Sequence, residues 1–342
     1  MAEERPLSYP VHFAAPKGML WPELAADPDA ALDEATLAKR AVASQNGWVI
    51  RTYYHLRRAG HPVTISEGLR DGAINVAAPR EFGRRARKPR HFVVIPRADG
   101  HRPMLANYFL EQNTGLPEGE RVSSIPYWPQ AGILQRDPAR TGLSVISFKG
   151  RVLNLSEPYR NDAFVARLAE MGVQYEPGSF DEMGTTWQDY RKVDAVVAVR
   201  NMTVHDALHK PASKLINAWH AGVPAILGPE PAFQAVRESP FDYIEACNPD
   251  EAIAAVRRLR EDPDLYHRMV ENGRMRAQAF TEEAVRRRWV DVFERRIGPA
   301  FDRWKRKGGL RRGALWVWMM AAEPVSRRFY QHYIRNGRRI LE

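Results

Sequence analysis

Residues 193–230, VDAVVAVRNMTVHDALHKPASKLINAWHAGVPAILGPE, constrain the fold more than any other stretch. Val193 and Ala195 to Val199 make a short apolar run rich in β-branched residues, long enough for a buried strand and too short for a helix. A polar loop carrying His205, Asp206 and His209 follows. Beyond Pro211 and Ser213, the residues Leu215, Ile216 and Trp219 fall at helical spacing, and Gly222 supplies the usual helix stop. Val223 to Leu227 is a second apolar strand, closed by Gly228, Pro229, Glu230 and Pro231. Two strands joined by a crossover of this length are parallel neighbours with the helix packed on the sheet. Ligands of open α/β sheets bind beyond the carboxyl ends of the strands, so Arg200 to Ser213 and Gly228 to Pro231 share one rim. The helix starting near Ser213 points its unpaired N–H groups and positive dipole end at that rim, which suits a phosphate. Ser213 and Asn217, four residues apart, share a polar face with Lys214 beside them.

The chain has 342 residues, which points to two domains of ordinary size. A hydrophobic content of 44% argues for a globular protein. One cysteine, Cys247, excludes an internal disulfide and a cysteine-rich metal site, and no metal ligand set stands out. No run approaches the roughly 18 apolar residues of a spanning helix, and the first residues lack an apolar core, so a cytoplasmic protein is expected. The net charge of +10 is concentrated at the end of the chain. Residues 299–342 hold eleven Lys and Arg against Asp302, Glu323 and Glu342, leaving the body close to neutral. That distribution argues against nucleic acid as a partner, which calls for a basic stripe across a folded domain.

Earlier in the chain, residues 9–15, 59–66 and 74–77 read as strands, with helices over about 28–43 and 47–59. GRRARKPR, 83–90, carries five positive charges, read either as a solvated loop or as a contact to an acidic surface. Phe92 to Ile95 is a buried strand, and Asp99 and His101 follow at its carboxyl end, where a general base for an acceptor hydroxyl would stand. The alternative is a simple turn, because Asp-Gly is a strong turn signal. The stretch 123–140 is rich in proline and aromatic residues, lacks a period and reads as a linker. Leu143 to Phe148 opens a second domain as a strand ending in Lys149, Gly150 and Arg151. The expected division is 1–135, 136–298 and a basic tail over 299–342. Within that tail Trp304, Trp316 and Trp318 lie among cations, and GALWVWMMAA, 313–322, is too short to span a bilayer. It suits either an interfacial helix on anionic lipid or packing back on the first domain.

PASKLINAWHAGVPAILGPE resembles the donor-binding segment of GT-B-fold glycosyltransferases. W-P-Q-x-G followed by R-D-P resembles a stretch that precedes the second domain in a group of bacterial glycosyltransferase-like proteins. The resemblance implies an α/β protein of two Rossmann-like domains facing a cleft, with a helical tail. It implies a nucleotide-sugar as co-substrate, with no cofactor and no metal. Lys149, Gly150, Arg151, Ser213 and Lys214 would hold the diphosphate, the glycine letting backbone approach it. Asn217 takes the ribose-contacting position that is more often Glu, with Arg200 and Glu230 beside the donor. The expected activity is sugar transfer to a saccharide or lipid-linked acceptor in cell-envelope or glycan synthesis, with the tail able to reach the inner face of the membrane. The alternatives are a non-catalytic peripheral membrane or assembly protein on a degenerate scaffold, and a nucleotide-sugar epimerase.

Overall fold

The computed structural model describes residues 5–15, 17–41, 46–79, 87–98, 100–178 and 187–342. The chain forms two compact units, Met1–Tyr127 with Glu283–Gly337, and Trp128–Glu282 with Arg338–Glu342.

The first unit is built on six strands: β1 (Val11–Ala14), β2 (Val63–Ser66), β3 (Ile74–Ala77), β4 (Phe92–Pro96), β5 (Tyr108–Glu111) and β6 (Val122–Ser124). Their order is β2-β1-β3-β4-β5-β6, with every neighbouring pair parallel. Strands β1, β3, β4 and β5 are buried along their whole length; only β4 is an unbroken apolar run, while His12, Asn75 and Glu111 are buried polar members of the other three, and β5 was not expected from the sequence. The helical stretch expected over 47–59 is a π turn, Asn46–Arg51, running into the helix Thr52–Arg58. It sets Tyr53 edge-on against Phe13 and Trp48 against Trp289.

Trp289 shows where the expected boundary at 298 fails. Val285, Trp289, Val292 and Phe293 are fully buried, and their apolar face packs on the first unit, so the chain returns there from Glu283 onward. The helices Gly298–Lys305 and Gly309–Asn336 follow in the same unit. Of the tryptophans expected on a membrane-facing tail, Trp304 is instead core: it stacks on Phe301 and meets Phe92 with ring centroids 5.6 Å apart. Trp316 is half-buried, and Trp318 is exposed.

The second unit carries β7 (Val145–Ser147), β8 (Gln174–Glu176), β9 (Ala195–Ala198), β10 (Ala225–Leu227) and β11 (Ile244–Glu245). Their order is β11-β10-β9-β7-β8, all parallel. Helices cap themselves where the sequence provides a cap: Asn161, Asn248 and Asp262 each accept from an N–H of the following turn. The helix Ser213–Ala221 ends on Gly222 at φ 71°, as its sequence predicts.

The expected linker joins this second unit before residue 135. Leu134 donates its N–H to Gln188, and Tyr190 donates back to Leu134. The R-D-P segment anchors the unit from within, because Arg136 and Arg140 both grip the fully buried carboxylate of Asp194, at 2.9 and 2.8 Å. The backbone N–H groups of Ser144 and Val145 complete its shell. Burial alone would raise the Asp194 pKa; the hydrogen bonds outweigh it and hold the group down at about 2.

Candidate diphosphate site of the second unit

In the order β11-β10-β9-β7-β8, the chain runs from β7 outward to β8 on one side and to β9, β10 and β11 on the other. The strand order therefore reverses between β7 and β9, and a crevice for a ligand opens at such a point beyond the carboxyl ends. Three segments meet there: the turn Phe148 to Arg151, the chain from Val199 onward, and the start of the Ser213–Ala221 helix.

The turn and the helix start touch. The Lys214 ammonium donates to the Lys149 carbonyl oxygen at 2.8 Å and rests 4.5 Å from the centroid of the buried Phe148 ring. A Cβ at Gly150 would sit 2.9 Å from that ammonium and 3.1 Å from the ring, so glycine is what lets the lysine reach across. Gly178, just past β8, has φ 98°, and a Cβ there would meet the Gly150 and Phe148 carbonyl oxygens at 2.5 and 2.9 Å. No local pattern marks Gly178 as a site residue, since its partner turn lies 28 positions earlier.

Ala212 occupies the cap position of the Ser213–Ala221 helix and offers no side-chain acceptor. The first-turn N–H groups have no acceptor within the helix. The Ser213 hydroxyl is buried and has no hydrogen-bond partner among the described residues. N–H groups, a hydroxyl and an ammonium at a helix start form a setting for an anion. Lys149 points differently: its ammonium lies 5.3 Å from the Tyr190 ring centroid. Burial lowers its pKa, partly opposed by Glu176 and Asp189. Arg151 is half-buried and begins the 3-10 turn Val152–Asn154.

Three expected donor contacts have protein partners. Asn217 accepts the Gln130 N–H through its side-chain carbonyl at 3.0 Å, tying the linker to the helix. Arg200 and Glu230, at the ends of β9 and β10, form a two-pronged ion pair in which Glu230 is fully buried, the Nε–Oε1 arm measuring 2.8 Å. Gly228 lets the two strand ends pass closely, because a Cβ there would lie 3.3 Å from the Val199 side chain. The polar loop after Arg200 is pinned by the last residues of the chain: Val204 donates to the Arg338 carbonyl and Ile340 to that of Met202. Sequence reasoning missed this strap, as nothing in a sequence couples segments so far apart.

In the first unit, Asp99 lies outside the described residues, as do 83–86 of the basic run. His101 stands past the end of β4 with both ring nitrogens engaged by the last long helix: Nε2 is 2.9 Å from the Ser326 hydroxyl and Nδ1 3.6 Å from Glu323. Burial, with Arg97 and Arg327 nearby, pushes its pKa down to about 4, so the imidazole is neutral at pH 7. Arg87, from the basic run, turns inward to Asn107 and Met319 instead of facing an acidic surface.

No protein-family model matches the chain, and no curated protein matches it. Among solved structures it is similar to HepE of Anabaena in complex with UDP, at 11% identity, covering 83% of this chain and 98% of that one with a TM-score of 0.46. It is similar to TarM, solved from S. aureus, at 10% identity and a TM-score of 0.44, covering 66% of this chain and 56% of that one. A sucrose-phosphate synthase from Thermosynechococcus elongatus is similar at 13% identity and a TM-score of 0.43, with 80% and 82% covered. The chain thus spans just over half the length of TarM. Similarities of this size bear on neither ligand nor activity.

Proposed function

We propose that the chain is a glycosyltransferase that moves a sugar from a nucleotide-sugar donor, bound by the second unit, to a saccharide or lipid-linked acceptor in cell-envelope or glycan synthesis. The supporting observation is the contact of the Phe148 to Arg151 turn with the start of the Ser213 helix, at the point where the strand order reverses. A donor diphosphate placed there meets helix N–H groups, the Ser213 hydroxyl, Lys214 and Arg151. Such preset donors favour the charge that grows on the leaving oxygen as the glycosidic bond breaks, without a metal. The acceptor oxygen forms the new bond to the anomeric carbon and loses its proton to a base. We assign the base to the carboxyl end of β4, at Asp99 or His101; for His101, Ser326 must first release Nε2.

The test is release of nucleoside diphosphate from a panel of nucleotide sugars. Arg151→Ala should fold and lose turnover; undiminished turnover in that variant would remove the assignment. Turnover that needs no acceptor would indicate an epimerase. A binding-only protein is the second reading, favoured by the protein partners already held by Asn217 and Glu230. It predicts no release with any donor and no thermal shift with any nucleotide or nucleotide sugar, whereas a donor present at about 100 times its dissociation constant would add roughly 2.7 kcal/mol of stability.

A further inference from the structure

The Gly309–Asn336 helix has two unlike faces. Inward, Met319 is buried, Glu323 accepts the Met104 N–H at 2.6 Å, and Ser326 holds His101. Outward, Leu310 is 93% exposed, Phe329 61%, Val317 60%, Trp318 57%, Val325 54% and Tyr333 52%. At 3.6 residues per turn these six fall on one side of the helix. Exposed apolar residues scattered singly are ordinary, but a continuous row of this length marks a surface with a partner.

The charges on the same side say what the partner is. Arg311, Arg328 and Arg335 are exposed among the apolar residues, and the only carboxylate of the helix, Glu323, faces inward. A second copy of the chain is a poor occupant, because a two-fold interface sets a patch against itself and would confront these arginines with one another. Nucleic acid fits poorly too, since Arg311, Arg328 and Arg335 stand 17 and 7 positions apart with apolar residues between them, so they offer successive phosphates no continuous cationic track. No described helix is long and apolar enough to cross a membrane.

We propose that this face lies flat on an anionic bilayer surface. Trp318, Phe329 and the aliphatic residues enter the boundary between headgroups and acyl chains, and the arginines stay at the lipid phosphates. The inference is independent of what the second unit binds.

The test is co-sedimentation of the full chain with vesicles of phosphatidylcholine containing phosphatidylglycerol, beside phosphatidylcholine alone. We expect sedimentation with the anionic vesicles only, weakening as salt is raised. Trp318→Ser with Phe329→Ser, and separately Arg311→Ser with Arg328→Ser and Arg335→Ser, should each reduce binding by about tenfold or more. All five side chains are exposed, so circular dichroism should show both variants folded. Failure to bind anionic vesicles, equal binding to both vesicle types, or unchanged binding in both variants would overturn the proposal. So would a dimer that these substitutions abolish, or binding of an RNA oligonucleotide in place of vesicles.

Discussion

The Lys214 ammonium joins the start of its helix to the carbonyl oxygen of Lys149 at 2.8 Å, with the Phe148 ring beneath it. Lys214→Met keeps an unbranched chain over the ring and removes the charge. A charge-assisted hydrogen bond contributes about 1.5–3 kcal/mol, so affinity for a nucleoside diphosphate should fall roughly tenfold to a hundredfold by calorimetry. The variant should also lose stability, by up to about the same amount, because the bond to the Lys149 carbonyl goes with the charge.

Gly150 and Gly178 should fail in different ways. At 150 an added methyl meets the far end of a flexible lysine at 2.9 Å and the buried Phe148 ring at 3.1 Å, so Gly150→Ala should fold with a smaller loss of stability than Gly178→Ala and bind the diphosphate more weakly. At 178 it meets backbone oxygen at 2.5 Å from a φ of 98°. Strain of that backbone kind alone costs on the order of 1–3 kcal/mol, so Gly178→Ala should lower the urea midpoint. A normal midpoint would mean that the turn yields.

Glu230→Ala leaves the Arg200 guanidinium, 12% exposed, without its carboxylate. Breaking a buried pair from one side costs about 3–5 kcal/mol, whereas Arg200→Met with Glu230→Leu should cost much less. A double-mutant cycle in denaturant measures the difference. If Glu230 instead serves a sugar hydroxyl first, the double variant will recover stability and still lose donor binding.

Asp194 gives the fold an acid limit. Its carboxyl ordinarily titrates near 3.8 and is held at about 2 in the folded chain. A depressed pKa stabilises fully above the unfolded value and is lost as pH falls through the folded one, so this contribution, on the order of 2 kcal/mol, disappears between about pH 4 and 2. Asp194→Asn should be less stable at pH 7 and show a flatter decline across that window. The same decline in both proteins would contradict this.

Much of the fold was legible because the inner strands of both parallel sheets are buried on both faces, so strands such as Phe92–Pro96 and Ala195–Ala198 stand out as apolar runs between turn residues. Strand β6, Val122–Ser124, was hidden because an edge strand of three residues with two serines carries no such run. The return of 283–298 to the first unit was hidden for another reason. Trp289 reads as core in either unit, and only its contact with Trp48 decides which.

At the site, sequence logic located the rim but not the partnerships along it. Ser213 and Lys214 could be placed from the helix pattern, since a helix start and a strand end are local features. That Glu230 is taken by Arg200, 30 positions away, or that Asn217 holds Gln130, depends on how strands and linker pack. Short polar residues have no periodicity that reveals their partners.

The most direct measurement is a calorimetric titration of the full chain with nucleoside diphosphates, wild type beside Lys214→Met. We expect saturable one-site binding of at least one of them, weakened about tenfold or more in the variant. Absence of binding by every nucleoside diphosphate, or equal affinity in the two proteins, would contradict a diphosphate site at the start of the Ser213 helix.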